Sequence, residues 1–210
     1  MGILVQFKNL LIEALKDNKK LIIGLYLVFI VVFIAAFFIS SDFVVKALSG
    51  IPASGETTGT GDFSAVELFI HNAVGGIVTY VGSIFFAIAA IVALLYNAVS
   101  LGAIGQLINQ TTPNGGLIYI TYLIPHGIFE ITAMVLQSVA GVLLFLFIWR
   151  FIKAWRSSET QGFYDSFEKT KKVLIQSVVL MIFSMILLLI AAPIEAYVSV
   201  QLAGLLFGSP

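Results

Sequence analysis

The stretch Leu21–Ile39, LIIGLYLVFIVVFIAAFFI, decides the fold because it contains no charged or amide side chain over 19 residues. As a helix it is about 28 Å long, which matches the hydrocarbon core of a bilayer. The whole 210-residue chain is 60% hydrophobic and 10% charged, whereas a soluble domain carries roughly 25% charged residues. The sequence therefore predicts an all-α, polytopic transmembrane helical bundle that is embedded in the lipid bilayer.

The charge balance and the missing cysteines exclude several kinds of partner and site. The formal net charge is +0, so the chain lacks the basic surface by which proteins bind nucleic acid. The absence of cysteine excludes disulfides, thiolate metal sites and cysteine nucleophiles. We expect the partners to be other membrane proteins or further copies of this chain.

The segment before the first span, 1–20, predicts an amphipathic helix. Its apolar residues fall on one helical face, and its charged residues lie on the others. The apolar face consists of Leu4, Phe7, Leu11 and Leu15. We expect this helix to lie in the membrane surface, followed by a single transmembrane domain over 21–210.

Three further apolar stretches predict spanning helices, at 73–96, 128–149 and 173–192. Ser64-Ala-Val-Glu67 has the form of a capping box, which starts a helix. Small residues that favour close helix packing recur every three or four positions along 73–96: Gly75, Thr79, Gly82, Ser83, Ala87, Ala90 and Ala93.

The basic residues predict the orientation of the bundle. Four lysines precede the first span and six basic residues precede the last, whereas the predicted loop 40–62 contains only Lys46. The positive-inside rule places the N-terminus and a predicted loop at 150–172 in the cytoplasm, and loop 40–62 outside. An even number of crossings must separate the two cytoplasmic segments. We therefore predict about five crossings of the cell membrane, with an extracytoplasmic C-terminus.

The third of these crossings, 99–124, is predicted to be broken. Gln110–Gly116 interrupts its apolar sequence, and Pro125 should end it because proline disfavours a continuing helix. The broken backbone would have to be buried in protein or face water. The alternative is a re-entrant hairpin over 117–150.

Titratable residues lie at the predicted outer ends of several spans. His126 and Glu130 are one helical turn apart and share a face, directly after Pro125. Glu67 and His71 repeat this spacing at the start of the second span, and Glu195 follows the last one. We therefore expect these five residues to gather near one membrane depth beneath the extracytoplasmic face.

Several interpretations of this cluster remain open. An ionisable group in the membrane is a functional candidate because it is costly without a partner. Carboxylate and imidazole together suit a cation, a proton or a divalent metal such as zinc. The residues could instead form structural hydrogen bonds, with Glu67 serving only as a capping acid, or they could face water.

Four amides lie in or beside the spans: Asn72, Asn97, Gln106 and Asn109. In lipid, such groups commonly hydrogen-bond across helices and contribute about 0.6 kcal/mol each. They could also line a path past the broken segment.

The sequence indicates no enzyme. Gly59–Asp62 and Tyr164-Asp165 match the GxGD and YD motifs of intramembrane aspartyl proteases, but they lie in predicted loops on opposite sides of the membrane. No metalloprotease helix, nucleophile elbow or P-loop is present.

The sequence from about residue 65 to 200 resembles the stage II sporulation protein M family. The resemblance rests on His126-Gly-Ile-Phe-Glu130 after a proline, on the stretch from Asn97 to Gly102, on His71-Asn72, and on Ile194-Glu-Ala196. It implies a multi-pass membrane protein in which His126, Glu130 and Glu195 matter. The founding member belongs to a complex that remodels cell wall during engulfment, where it acts as an organiser rather than as the hydrolase.

The sequence therefore leaves two alternative functions open. A non-enzymatic membrane scaffold or assembly partner is favoured by the short loops, the small-residue stripe and the resemblance. A transporter, channel or permease subunit is favoured by the broken crossing and the clustered acids. A water-filled path past Glu130 would favour the second function, and a dry bundle with an apolar outer face would favour the first.

Overall fold

The computed structural model describes residues 2–39, 64–85, 87–157 and 162–207, and in these ranges the chain is helical with no strand. The elements are α1 (Ile3–Asp17), α2 (Lys19–Ile39), α3 (Ala65–Gly82), α4 (Ile88–Thr111), α5 (Gly115–Trp155), α6 (Phe163–Pro193), a π-helical segment (Ile194–Ser199) and α7 (Val200–Phe207). Within these described ranges, five units are long and apolar enough to cross a membrane: α2, α3, α4, α5 and the continuous run from α6 to α7. The predicted all-α transmembrane bundle is confirmed.

The predicted partition of the second and third spans is wrong. The stretch 73–96 is not one helix, because α3 ends at Gly82 and α4 begins at Ile88. The capping box at Ser64, which is confirmed, starts α3 eight residues earlier than the predicted span. The connection is made possible by Gly82 and Ser83, residues with low helix propensity. Hydropathy could not reveal the turn because its residues are themselves apolar.

The stretch Gln110–Gly116 contains the turn between two crossings and is not a break inside one. Helix α4 ends at Thr111, and α5 begins at Gly115. Asn114 adopts a left-handed conformation with φ 57°, which asparagine tolerates better than most residues. The re-entrant hairpin at 117–150 is also excluded, since α5 is one helix over that whole range.

Helix α5 continues through Pro125, contrary to the prediction that this proline ends a crossing. Proline inside a helix removes one backbone hydrogen bond and costs about 3 kcal/mol or more. Helix α5 packs against α6, α4, α3 and α2, and it contributes the largest share of the buried hydrophobic core. This packing offsets the local cost.

Helices α5 and α6 extend past the N-terminal end of α2. Ser177 on α6 donates a hydrogen bond to the Ala140 carbonyl on α5, and Gln176 accepts one from Asn18, at the start of α2. Because α5 has 41 residues, it is about 62 Å long, and its last four turns lie beyond this level. The predicted loop 150–172 is therefore largely helical, with α5 ending at Trp155 and α6 starting at Phe163.

Aromatic rings join the two extensions. Phe147, Phe151 and Trp155 follow one another on α5, and they contact Phe163 and Phe167 on α6 with ring centroids 5.0–6.2 Å apart. The predicted loop 40–62, including Gly59–Asp62, lies outside the described residues.

The predicted amphipathic helix is α1, and polar contacts attach it to α6. Lys172 Nζ lies 2.7 Å from Glu13 Oε1 and 2.9 Å from Asp17 Oδ2. Gln176 Nε2 also donates a hydrogen bond to Asp17 Oδ2, at 2.8 Å. The hydrogen bond from Lys172, which has the larger effect, and the one from Gln176 hold the pKa of the Asp17 carboxyl below its ordinary value.

Helix α2 approaches α4 closely at Gly102. A Cβ atom added there would lie 2.4 Å from the Phe33 carbonyl oxygen and 2.7 Å from Ala36 Cβ. The two helices can therefore reach this distance only because the residue has no side chain. Gly24, on α2, offers a contrast, since a Cβ there would meet nothing within 4 Å.

We expect α1 to detach from α6 in acid. A carboxyl whose folded pKa is lowered contributes stability above its unfolded pKa and loses it as pH falls through the folded value. The protection of the α1 amides against hydrogen exchange, relative to the intrinsic exchange rate at each pH, should therefore fall below about pH 4. Lys172→Met should lower this protection already at neutral pH, whereas Lys169→Met, which removes an ion pair within α6, should not. Equal exchange in the two variants would refute the role of Lys172.

We expect Gly102→Ala to destabilise the bundle by about 1–3 kcal/mol, because the added methyl group meets backbone that cannot move aside easily. The matched control is Gly24→Ala, which should be neutral or stabilising by up to about 1 kcal/mol because alanine is the better helix former. The measurement is the free energy of unfolding in detergent or lipid. A stabilised Gly102→Ala variant would show that α2 and α4 are not closely packed here.

Candidate functional site

Three of the five predicted titratable residues meet in the structure. His126, Glu130 and Glu195 each offer one ligand atom, and these atoms all lie within 4.8 Å of one another. His126 and Glu130 come from adjacent turns of α5, and Glu195 comes from the π-helical segment. We call these residues the acid–histidine cluster.

His126 is the buried centre of the cluster, with only 3% of its surface exposed. Its Nδ1 atom lies 2.9 Å from Ser199 Oγ in a hydrogen bond, and its Nε2 atom lies 3.8 Å from Glu130 Oε2. The ring also packs edge-on against Tyr122, one turn earlier on α5, with centroids 5.2 Å apart. These contacts fix both the position and the orientation of the imidazole.

Both carboxylates accept hydrogen bonds from other parts of the bundle. Asn72 Nδ2 on α3 donates to Glu130 Oε1 at 3.0 Å. Tyr122 donates its hydroxyl to Glu195 Oε1 at 3.3 Å. The cluster and its partners therefore connect α3, α5 and the π-helical segment.

The π-helical segment directs two side chains toward α5. Glu195 and Ser199 are four residues apart and contact Tyr122 and His126, which are also four apart. The segment follows Pro193, whose missing N–H weakens the regular α-helical ladder. Single π-helical turns inside helices are frequent at functional sites.

The cluster lies deep within the part of the bundle that matches a bilayer. Glu130 is ten residues before Ala140, or about 15 Å along the helix axis. Ala140 lies at the level of the start of α2, because it accepts a hydrogen bond from Ser177, whose neighbour Gln176 bonds Asn18. His126 is about 16 Å from the other end of α5, at Gly115. Charged groups at such depth are costly unless partners compensate them.

Glu67 and His71 do not join the cluster. The Glu67 carboxylate accepts from the Ser64 backbone at 2.9 Å, and its own amide donates to Ser64 Oγ at 3.3 Å. Glu67 is thus the acid of the capping box, as the structural interpretation proposed. His71 is exposed on α3, beside the cavity described next.

A partly polar cavity of about 60 Å³ adjoins the cluster on the α3 side. Asn72, which binds Glu130, is part of its wall, together with Thr79, Asn97 and Gln137. The Nε2 atom of Gln137 is buried and has no hydrogen-bond partner among the residues that the structure describes. Since a single water needs roughly 10–15 Å³ on this measure, the cavity is large enough for several waters.

The other two predicted amides lie elsewhere. Asn109 is at the turn from α4 to α5, where its Oδ1 atom would be 2.6 Å from a Cβ added at Gly116. Gln106 is partly buried on α4 and does not line the cavity.

Sequence reasoning missed Tyr122, Ser199 and Gln137. Tyr122 and Ser199 could have been found by helical spacing, because each is one turn from a predicted cluster residue. Gln137 is one turn from Ala133 in an apolar run, and no nearby charge marked it. Its position becomes informative only when Gly76, on α3, is placed against it; a Cβ at Gly76 would lie 2.3 Å from Gln137 Nε2.

We expect Ser199→Ala to destabilise the protein by about 1–3 kcal/mol, because it leaves a buried imidazole nitrogen without its partner. Ser184→Ala is the matched control: it is equally buried on α6, but its hydroxyl bonds the Met181 carbonyl of its own helix. The control should cost less than about 1 kcal/mol. Unfolding free energies in the same detergent would test this, and equal costs would contradict the assigned role.

Comparison with known proteins identifies the family of this chain. The stage II sporulation protein M family matches residues 25–200. An uncharacterized protein of Methanocaldococcus jannaschii is 34% identical over 125 residues, which cover 58% of this chain and 63% of that relative. No solved structure matches. The family match includes three of the five spans in full, most of the other two, and the whole acid–histidine cluster. The chain therefore belongs to the stage II sporulation protein M family.

Proposed function

We propose that this membrane protein is a non-enzymatic scaffold or assembly partner in the cell membrane. The observation that carries the proposal is the mutual bonding of the intramembrane polar groups. Asn72 holds Glu130, Tyr122 holds Glu195, and Ser199 holds His126. Such bonds fix the relative positions of three elements, which is what a rigid membrane platform requires.

The geometry argues against hydrolysis, although Ser199, His126 and Glu130 resemble the members of a catalytic triad. Ser199 has no exposed surface, so a substrate carbonyl cannot reach its hydroxyl. The His126–Glu130 separation of 3.8 Å is also too long for the hydrogen bond that orients a catalytic histidine.

One surface available to a partner is the outer face of α3. Val74, Ile77, Val78 and Val81 are exposed and apolar along this helix, whereas Gly76 and Ser83 face α5. The predicted small-residue stripe is therefore used at least in part for packing within the chain. A membrane partner of this face would have to present apolar side chains.

The proposed orientation keeps the N-terminus in the cytoplasm. The lysines at the start of α2 and Lys172 on α6 lie at the same end of the bundle, because Lys172 contacts α1. Arg150 and Lys153 lie on the α5 extension beyond that end. One end of the bundle thus carries the basic residues that the positive-inside rule assigns to the cytoplasm. The same orientation places α7 near the outer face.

A cation or proton transport subunit is the second candidate. It is favoured by the cavity, because Asn72 contacts Glu130 on one side and lines the cavity on the other. A hydrated path would need to extend from this cavity to both membrane surfaces.

The two functions can be separated with the intact protein. We expect gentle extraction from native membranes to yield a stoichiometric complex that Ile77→Trp disrupts, because the larger ring changes the shape of the α3 face. The matched control Val31→Trp, on the exposed face of α2, should leave the complex intact. Mass measurement of the purified complex is the readout.

Reconstituted liposomes supply the other half of the test. The scaffold proposal expects no proton or cation flux above that of protein-free vesicles. Flux that is abolished by Glu130→Gln and retained by Glu67→Gln would overturn it in favour of transport. A monomeric extracted protein, unaffected by Ile77→Trp, would also contradict the scaffold.

A further inference from the structure

The acid–histidine cluster has the donor set of a divalent metal site. Imidazole nitrogen and carboxylate oxygen are both ligand types of zinc, and open zinc sites have three protein ligands. His126 Nε2 and Glu130 Oε2 are 3.8 Å apart, and Glu195 supplies the third donor within 4.8 Å. Tetrahedral zinc with bonds of about 2.0–2.1 Å needs donors about 3.4 Å apart. Side-chain shifts of roughly 1 Å therefore suffice.

Each donor is oriented by a second residue. Ser199 bonds the Nδ1 atom of His126; with the proton on Nδ1, the Nε2 lone pair faces Glu130. Asn72 bonds one oxygen of Glu130, and Tyr122 bonds one oxygen of Glu195. Outer partners of this kind fix the tautomer and the ring orientation at metal sites and raise metal affinity.

The charge balance is matched by a divalent cation. Two ionised carboxylates within 4.8 Å of each other repel strongly in surroundings of low dielectric constant. Two protons or one dication would neutralise both carboxylates, but only the dication also uses the neutral imidazole as a third donor. A bound dication thus removes the net charge from a site deep in the bundle.

We infer that His126, Glu130 and Glu195 bind one divalent transition-metal ion of the zinc class. The bound ion would join α5 to the π-helical segment. The site is independent of the proposed scaffold function, since it needs neither a partner nor transport.

The inference can be tested with the full-length protein, purified in detergent and stripped with a chelator. We expect one Zn²⁺ per chain by calorimetry and elemental analysis, and visible absorption bands of a low-coordinate site when Co²⁺ is added. Glu195→Gln, which preserves shape, should weaken Zn²⁺ binding at least about tenfold, and Ser199→Ala by about tenfold. Elution volume and helical circular dichroism verify that each variant is folded.

The matched controls are Glu67→Gln and His71→Asn, which change the same residue types outside the cluster. They should bind Zn²⁺ like the unaltered protein. Failure of the unaltered protein to bind Zn²⁺ or Co²⁺, or equal binding by Glu195→Gln, would overturn the inference. Because no partner is present in this experiment, its failure would leave the scaffold proposal standing.

Discussion

The structure depends on one constraint, which is that a polar group inside the bilayer must find its partner within the protein. Glu130 meets this constraint through Asn72, which lies on a different helix. His126 meets it through Ser199, 73 positions later in the chain. Each bond requires two elements to lie at a fixed height and rotation. The polar groups thereby specify an arrangement that apolar contacts alone leave underdetermined, since lipid tails are as apolar as the helices.

Close backbone approach is the second requirement, because short side chains such as Asn72 and Ser199 reach only a few ångströms. Glycine supplies this approach at Gly76, which lies against Gln137, and at Gly102, which lies against Phe33. The small residues and the polar residues therefore act together. The first let the helices come near enough for the second to bond, and the second decide which face of each helix is used.

The sequence predicted the features that depend on local chemistry and failed where tertiary packing decided. The structures of the 19-residue apolar stretch Leu21–Ile39 and of the capping box at Ser64 follow from their own residue types, and both predictions are confirmed. Pro125 was misinterpreted because its local cost is visible in the sequence, whereas the compensating packing of α5 is not. The end of α3 at Gly82 and the start of α4 at Ile88 were missed because hydropathy averages over both. Within the site, the proximity of His126 and Glu130 follows from their spacing alone. The contribution of Glu195 depends on a π-helical segment that no sequence pattern predicted.

The position of Glu195 links the site to the end of the chain. The π-helical segment continues directly into α7, and Glu195 and Ser199 on it contact α5 at the cluster. Glu195 and Ser199 therefore connect the start of α7 to α5, because the segment that carries them enters α7 without an intervening loop. The polar contacts of the buried cluster thus also set where the last helix begins.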